Sequence, residues 1–143
     1  MIGNTVSRET HSSEETEQLA AEFAASLRAG DVVLLEGELG AGKTTFVRGA
    51  CRALGVRTVV TSPTFTIGQL YAAPVTVAHV DLYRLVDLQG EDPDLLADYL
   101  RDDTISFVEW PQRGEARIAT LARARRRVRI AHAGADRRTL EIT

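Results

Sequence analysis

The sequence is poor in cysteine, lysine, asparagine and long apolar runs, and each shortage excludes a class of protein. A single cysteine, Cys51, in 143 residues excludes an internal disulfide, and no cysteine–histidine cluster points to a zinc site. The longest aliphatic run is VVLL at 32–35, whereas a membrane span needs about 20 apolar residues. The first four residues lack the apolar stretch of a secretory signal, so we expect a cytoplasmic protein without a membrane span.

What is present is typical of a globular protein. Hydrophobic residues make up 44% and charged residues 26% of the chain, a balance that permits a packed core. No repeat or low-complexity linker divides the sequence, so we predict one domain over residues 1–143. Of the 17 basic residues, 16 are arginine and one is lysine, Lys43, which suggests that its chemistry is the reason it is kept.

The first half of the chain reads as the beginning of an α/β fold. Residues 5–8 suit either a short edge strand or a frayed end. Ser12 can cap a helix with an apolar stripe, which we expect to end at Gly30. Four apolar residues at 32–35 predict a strand buried on both faces, and the spacing after Lys43 predicts a helix over 43–54. Strand, glycine-rich turn and helix in this order are typical of α/β proteins.

The second half predicts further strands separated by loops. We expect a loop at 61–64, since a serine–proline step disfavours helix, and an acidic helix from 92 towards Tyr99. The remaining predicted elements are strands at 75–80, 104–108, 125–131 and 138–143, the last two forming a hairpin.

A phosphate-binding loop is the strongest chemical signal. Residues 37–44, GELGAGKT, match the pattern G-x-x-x-x-G-K-[ST] in full. In such a loop, backbone N–H groups and the start of the following helix surround phosphate oxygens. We expect Lys43 to reach the β- and γ-phosphates, Thr44 to place its hydroxyl on Mg²⁺, and Thr45 to contact the α-phosphate. The predicted strand before the loop and helix after it supply the expected context.

Two acidic residues follow predicted strands and are candidates for the rest of the site. Asp81 follows the strand at 75–80, and Glu109 follows the strand at 104–108. Ligands of open α/β sheets bind at the carboxyl ends of the strands, so both carboxylates are expected near the loop. One can hold the metal and the other can orient the attacking water, and the spacing alone does not assign these roles.

The class of nucleotide-binding protein narrows by elimination. The only asparagine is Asn4, so the guanine-reading N-K-x-D motif of Ras-type GTPases is excluded, which favours ATP. No L-S-G-G-Q-like signature of ABC ATPases is present. A small nucleoside or metabolite kinase, an ATPase that serves a partner, and a nucleotide-sensing module with negligible hydrolysis remain open.

Four segments, taken together, resemble one family. Residues 37–46 (GELGAGKTTF), 62–65 (SPTF), 79–84 (HVDLYR) and 108–111 (VEWP) are similar, in order and spacing, to TsaE, the bacterial tRNA threonylcarbamoyladenosine biosynthesis ATPase of the YjeE type. The resemblance runs from about Ser12 to the C-terminus. It implies a P-loop NTPase three-layer fold with a central, largely parallel β-sheet. It also implies ATP and Mg²⁺ as cofactors.

The resemblance further implies roles and partners. Members act with TsaB and TsaD in forming threonylcarbamoyladenosine at tRNA position 37. In this sequence no aromatic residue is interleaved among the arginines at 123–129 and the pI is about 5.6, so we expect any contact with tRNA to be indirect, through the complex. Lys43 corresponds to the phosphate lysine, Thr44 and Glu109 to the Mg²⁺ ligands, and Asp81 to the acid near the hydrolytic water. Residues 62–64 correspond to a switch-like segment near the γ-phosphate. The residues expected to contact the nucleotide are Ser13, Leu39, Gly40, Ala41, Gly42, Lys43, Thr44, Thr45 and Arg137.

Three other features suit more than one role. Arg123, Arg125, Arg127 and Arg129 recur at period two, which places four guanidinium groups on one face of a strand. This row suits either contact with an acidic partner or RNA phosphates, or a solvated edge strand protected by charge. Trp110 suits a cover over the nucleotide site, a partner surface or a half-buried core position. A lone histidine such as His79 is more often structural than catalytic.

Overall fold

The computed structural model describes residues 5–63, 66–85 and 94–143. Within these ranges the chain forms seven strands and three α-helices. Thr64 of the expected loop and the expected helix start at 92–93 lie outside them. The elements are β1 (Val6–Thr10), α1 (Ser13–Ala24), β2 (Asp31–Glu36), α2 (Lys43–Ala53), β3 (Gly68–Tyr71), β4 (Thr76–Asp81), β5 (Thr104–Glu109), α3 (Glu115–Leu121), β6 (Ala124–His132) and β7 (Arg138–Ile142).

The strands form one mixed sheet with the order β1-β7-β6-β2-β5-β4-β3. The four central strands, β6, β2, β5 and β4, are parallel to one another. The outer pairings of β1 with β7, β7 with β6, and β3 with β4 are antiparallel. The expectation of a largely parallel sheet is therefore wrong outside the centre, because the short connections from β3 to β4 and from β6 to β7 permit only antiparallel pairing.

Apolar side chains fill both faces of the sheet. On one face, alternate residues of β2, Val33 and Leu35, pack with Phe46 of α2 and Phe23 of α1. On the other face, their neighbours Val32 and Leu34 pack with apolar residues of the segment 94–100 and with Ile118 of α3. Burial on both faces explains why β2 reads as a continuous apolar run.

Helices α1 and α2 pack closely against each other. A Cβ atom at Gly49 would lie 2.3 Å from the carbonyl oxygen of Glu17, so only glycine permits this approach. Cys51 on the same helix is completely buried, and burial raises the pKa of its thiol to about 12. The cysteine is therefore an inert core residue. Among the described residues, none of the helices combines the length and apolar character that a membrane-spanning helix requires.

Two predicted helices differ from the observed structure. Helix α1 ends at Ala24 rather than near Gly30, because the Ser26 hydroxyl donates to the carbonyl of Phe23 at 2.8 Å and the chain continues in turns. Residues 94–100 form successive turns instead of an acidic helix. There, Leu96 and Leu100 are buried against the sheet, so tertiary packing overrides the local helical pattern.

Strand β1 forms as an edge strand, whereas β3 and α3 were not predicted. The strand rich in arginine, β6, is not an edge strand, because it lies between β2 and β7. Two of its arginines, Arg127 and Arg129, are paired with acidic side chains of β2 and α3. Arg127 binds Glu36 and Glu115, and Arg129 Nε lies 3.3 Å from Glu36 Oε2. The proposed protective role of an edge strand is therefore wrong.

Candidate functional site

The predicted site residues converge at the carboxyl edge of the parallel strands. The glycine-rich loop 37–42 follows β2, Asp81 ends β4 and Glu109 ends β5. Asp81 and Glu109 are direct neighbours in the register of β4 and β5. A cavity of about 310 Å³ opens at this edge. The predicted residues that line it are Leu39, Gly40, Gly42, Lys43, Thr44, Thr45, Asp81 and Glu109.

The loop adopts a conformation that requires glycine. Gly42, the residue before α2, has a φ of 108°, in the left-handed region that side chains rarely adopt. A Cβ atom at Gly37 would lie 2.5 Å from the carbonyl oxygen of Ile130 on β6, so the loop also passes close to a neighbouring strand. Ala41 is buried and its N–H donates to the Glu38 carbonyl at 3.0 Å, which closes the loop on itself.

Lys43 lies at the mouth of this loop, and no carboxylate of the described residues is directly bonded to it. Its Nζ donates to the Gly37 carbonyl at 2.5 Å and lies 3.8 Å from the centre of the Trp110 ring. Burial lowers the pKa of Lys43 below 10.5, and the nearby Glu109, Asp81 and Glu38 oppose this shift only in part. A buried ammonium held by a carbonyl and a ring attracts an anion, since neither contact neutralises its charge.

Oxygen atoms of Thr44, Ser62 and Glu109 form a connected group beside Lys43. Thr44 Oγ1 lies 2.8 Å from Ser62 Oγ and donates to Glu109 Oε2 at 3.2 Å. Hydroxyl and carboxylate oxygens are the donors that Mg²⁺ prefers. Mg²⁺ takes one or two protein ligands and completes its shell with phosphates and water. These residues therefore fit the predicted metal.

Asp81 is a half-buried carboxylate next to this group. Burial raises its pKa above 3.8, and the Glu109 carboxylate adds to this shift. The Tyr83 backbone N–H, which donates to Asp81 Oδ1 at 2.9 Å, opposes it, as do His79 and Lys43. The hydrogen bond from the backbone also fixes the orientation of the carboxylate relative to β4.

Two aromatic rings cover the same edge. Trp110 follows Glu109 directly and has a φ of 58°, a conformation rare for such a bulky side chain. Its ring lies 5.0 Å, between centroids, from that of Tyr83. Both residues line the cavity, so Trp110 belongs to the site and not to the core alone.

A second, smaller cavity extends the first towards the start of α1. It shares Gly42, Thr45 and Arg138 with the first cavity and is further lined by Ser12, Ser13, Thr16 and Asp136. Ser13 therefore lies where a ligand reaching past the loop would pass. The Ser12 hydroxyl accepts the N–H of Glu15 at 3.1 Å, which caps α1 as predicted.

The structure places Arg138, not Arg137, at the junction of the two cavities. Arg138 Nε donates to the carbonyl of Ala41 in the loop at 2.9 Å. Arg137 lies in the turn between β6 and β7, where its backbone pairs with Gly134 and Ala133. Sequence reasoning missed Arg138, although the doubled arginine at 137–138 was a usable signal, because the hairpin turn decides which of the two reaches the loop.

Comparisons with known proteins give a consistent result. The sequence profile described as "Threonylcarbamoyl adenosine biosynthesis protein TsaE" matches residues 10–140. A Streptomyces coelicolor protein named "tRNA threonylcarbamoyladenosine biosynthesis protein TsaE" is 44% identical over 122 residues, 83% of this chain and 80% of that relative. A Bacillus subtilis protein of the same name is 41% identical over 132 residues, 91% of this chain and 80% of its own. The crystal structure of Bacillus subtilis YdiB is similar, with a TM-score of 0.77, 32% identity, and coverage of 99% of this chain and 86% of that one.

Proposed function

Because the chain belongs to the TsaE family of tRNA threonylcarbamoyladenosine biosynthesis proteins, we propose that it is the magnesium-dependent ATPase of that pathway. The resemblance drawn from four sequence segments is confirmed at the level of the family. One observation carries the proposed activity: Lys43, Thr44, Glu109 and Asp81 line one cavity at the mouth of the glycine-rich loop. This constellation belongs to a P-loop NTPase with three layers, and we propose one such domain over residues 1–143.

The residues of the loop bind the phosphates in this proposal. Backbone N–H groups at the start of α2 and the Lys43 ammonium face the β- and γ-phosphates of ATP. Leu39, Gly40, Ala41 and Gly42 contribute the loop backbone, and Thr45 contacts the α-phosphate. On binding, the Lys43 ammonium exchanges its contacts with the Gly37 carbonyl and Trp110 for phosphate oxygens, which carry the charge that those contacts lack.

Thr44 and Glu109 would hold Mg²⁺, since the Thr44 hydroxyl bonds to the Glu109 carboxylate and both side chains line the same cavity. When bound, the ion neutralises charge on the transferring phosphate oxygens. Asp81, fixed by the Tyr83 backbone, orients the attacking water through its carboxylate. The position of Thr44, which bonds to Glu109, supports this proposed division, with the metal at the end of β5 and the water at the end of β4.

The proposed partners are the TsaB and TsaD proteins, and the proposed location is the cytoplasm. Contact with tRNA is indirect in this proposal. Its support is that three of the four arginines at 123, 125, 127 and 129 are paired with acids of the fold: Arg123 binds Asp31, Arg127 binds Glu36 and Glu115, and Arg129 binds Glu36. Arginines whose charge is compensated in this way are weak sites for RNA phosphates.

Reconstitution of tRNA modification tests the proposal. TsaB and TsaD, supplied with tRNA, ATP and the threonylcarbamoyl donor, are expected to form the modified base over many turnovers only when this chain is added. The chain should release inorganic phosphate, slowly alone and faster with both partners. Full modification without the chain would contradict the proposal. Transfer of phosphate to a nucleoside would favour the kinase alternative, and binding without phosphate release would favour the sensing module.

The position of Arg138 predicts a contact with the nucleotide. Replacing Arg138 by alanine is expected to weaken binding of a non-hydrolysable ATP analogue about tenfold, since a hydrogen bond to a charged group contributes about 1.5–3 kcal/mol. Arg137→Ala is the matched control, because it removes the same charge one residue away, and its affinity should stay within about twofold of the wild type. Calorimetric titration of both variants measures the difference. If Arg137→Ala loses more affinity than Arg138→Ala, the result would favour Arg137, the residue predicted from the sequence, as the nucleotide contact.

A further inference from the structure

His79 on β4 is a polar residue in a largely apolar part of the core. Its side chain is completely buried, on the face of the sheet that packs against α1 and α2. Nδ1 of the ring has no hydrogen-bond partner among the described residues. An unpartnered buried nitrogen costs stability, so packing alone does not account for a histidine here.

Within the ranges that the structure describes, the one hydrogen bond of the ring is with the proposed metal ligand. His79 Nε2 lies 2.6 Å from Glu109 Oε2, and both side chains are almost fully buried. A carboxylate accepts, so Nε2 carries the proton of this bond. Thr44 Oγ1 donates to the same Oε2 at 3.2 Å. Two donors from different elements, β4 and α2, therefore converge on one oxygen of Glu109.

Two donors on one oxygen restrict the rotation of a carboxylate. Glu109 also lines the cavity, and its second oxygen, Oε1, forms no hydrogen bond to any residue in the part of the chain that the structure describes. The bond to His79 thus occupies Oε2 and leaves Oε1 available for a ligand. Carboxylates that bind metals are commonly held by such a second hydrogen bond.

We propose that His79 is a positioning residue, whose bond to Oε2 holds the Glu109 carboxylate in the orientation that binds Mg²⁺ with the nucleotide. This inference rests on the proposed function, since it concerns the magnesium bound by Thr44 and Glu109. This role differs from a purely structural one in one respect. His79 affects the nucleotide binding that depends on Mg²⁺. It does not affect nucleotide binding without Mg²⁺, which depends on Lys43 and the backbone of the loop.

The test compares affinity for a non-hydrolysable ATP analogue in Mg²⁺ and in EDTA, measured by calorimetry on the full chain. His79→Leu removes the donor, and His79→Gln keeps an N–H near the position of Nε2. We expect His79→Leu to lose about tenfold in affinity in Mg²⁺ and less than about twofold in EDTA, with His79→Gln restoring most of the loss. Glu109→Gln is the comparator for complete loss of the magnesium effect.

Thermal unfolding without ligand separates positioning from folding. His79→Leu should unfold at a lower temperature than the wild type, because it removes a donor from the buried Glu109 carboxylate, and binding is therefore compared well below that temperature. Equal losses in Mg²⁺ and EDTA, or an unchanged magnesium effect in His79→Leu, would overturn the inference. If the wild type itself shows no magnesium effect or no nucleotide binding, the proposed function fails instead.

NMR of the His79 ring N–H in the wild type tests the positioning role even if His79→Leu does not fold. His11 and His132 are exposed, so a slowly exchanging ring N–H signal in nitrogen NMR belongs to the buried His79. We expect this Nε2–H signal to shift when the analogue and Mg²⁺ are added together, and to stay in place when the analogue is added in EDTA. A signal that responds equally in both conditions, or to neither, would contradict the positioning role.

Discussion

Lys43→Ala is expected to abolish ATP binding and hydrolysis, with affinity for a non-hydrolysable analogue falling about 100-fold or more. The Lys43 ammonium lies at the mouth of the loop, and its present partners, the Gly37 carbonyl and the Trp110 ring, carry no full charge. A charge-assisted bond to phosphate contributes about 1.5–3 kcal/mol, and Lys43 is expected to contact two phosphates. Calorimetry and a phosphate-release assay measure the two losses. Normal turnover by Lys43→Ala would refute the assignment of the loop.

Lys43→Arg is the matched control, since it keeps the charge but changes the shape of the donor. We expect it to retain part of the binding and little of the hydrolysis, because a planar guanidinium does not reproduce the reach of a single ammonium. Equal losses in Lys43→Ala and Lys43→Arg would show that geometry, and not charge, limits binding. Both variants should keep the unfolding temperature of the wild type within a few degrees.

The same residue predicts the dependence of binding on pH. Lys43 is the only lysine of the chain, so selective isotope labelling gives a single side-chain signal whose pKa can be followed directly. Burial places that pKa below 10.5 in the free protein, and bound phosphates are expected to raise it. Affinity should therefore fall as the pH rises through the pKa of the free protein, and binding should take up a proton in that range.

Asp81→Asn is expected to keep nucleotide binding and to lose hydrolysis about 100-fold, the lower end of the range for a positioned acid–base group. Asparagine can still accept the Tyr83 N–H, so the backbone at the end of β4 is retained while the negative charge is removed. Asp103→Asn is the matched control, because Asp103 is exposed and forms a surface ion pair with Arg101. Single-turnover phosphate release and analogue binding give the two quantities. Unchanged hydrolysis in Asp81→Asn would move the water-orienting role to another group.

The raised pKa of Asp81 makes hydrolysis dependent on pH. Because burial raises the pKa above 3.8, wild-type hydrolysis should decline as the pH falls through that higher value, while Asp81→Asn shows no such step. The effect on stability has the opposite sign. The folded state binds this proton more tightly than the unfolded state, so ionisation of Asp81 costs stability as the pH rises. Asp81→Asn should therefore be at least as stable as the wild type at neutral pH.

The local sequence pattern was sufficient to predict β2, the glycine-rich loop and α2, which form the proposed phosphate site. The apolar run of β2, the glycines of the loop and the spacing of α2 are properties of adjacent residues, and each agrees with the structure. The positions of Asp81 and Glu109 at the ends of strands followed from the same kind of pattern. Neighbouring parallel strands place such ends at one edge, which made their proximity predictable.

Contacts between distant parts of the chain were not predictable in the same way. Strand β3 is only four residues long, and the turns at 94–100 form because Leu96 and Leu100 are buried against the sheet, so neither follows from local propensity. The hairpin turn between β6 and β7 determines that Arg138, and not Arg137, contacts the loop. The order of strands in the sheet determines that β6 is not an edge strand.

The sequence by itself therefore determined the family, the glycine-rich loop and the identity of the charged groups around it, because these are encoded within short segments. Only the tertiary structure decided that His79 reaches Glu109, that Lys43 lies against Trp110, and that Arg127 of β6 is paired with Glu36. These contacts join residues that are 30 to 91 positions apart, or that approach only across the sheet. Side-chain partners at such separations are set by strand order and register, which no local pattern specifies.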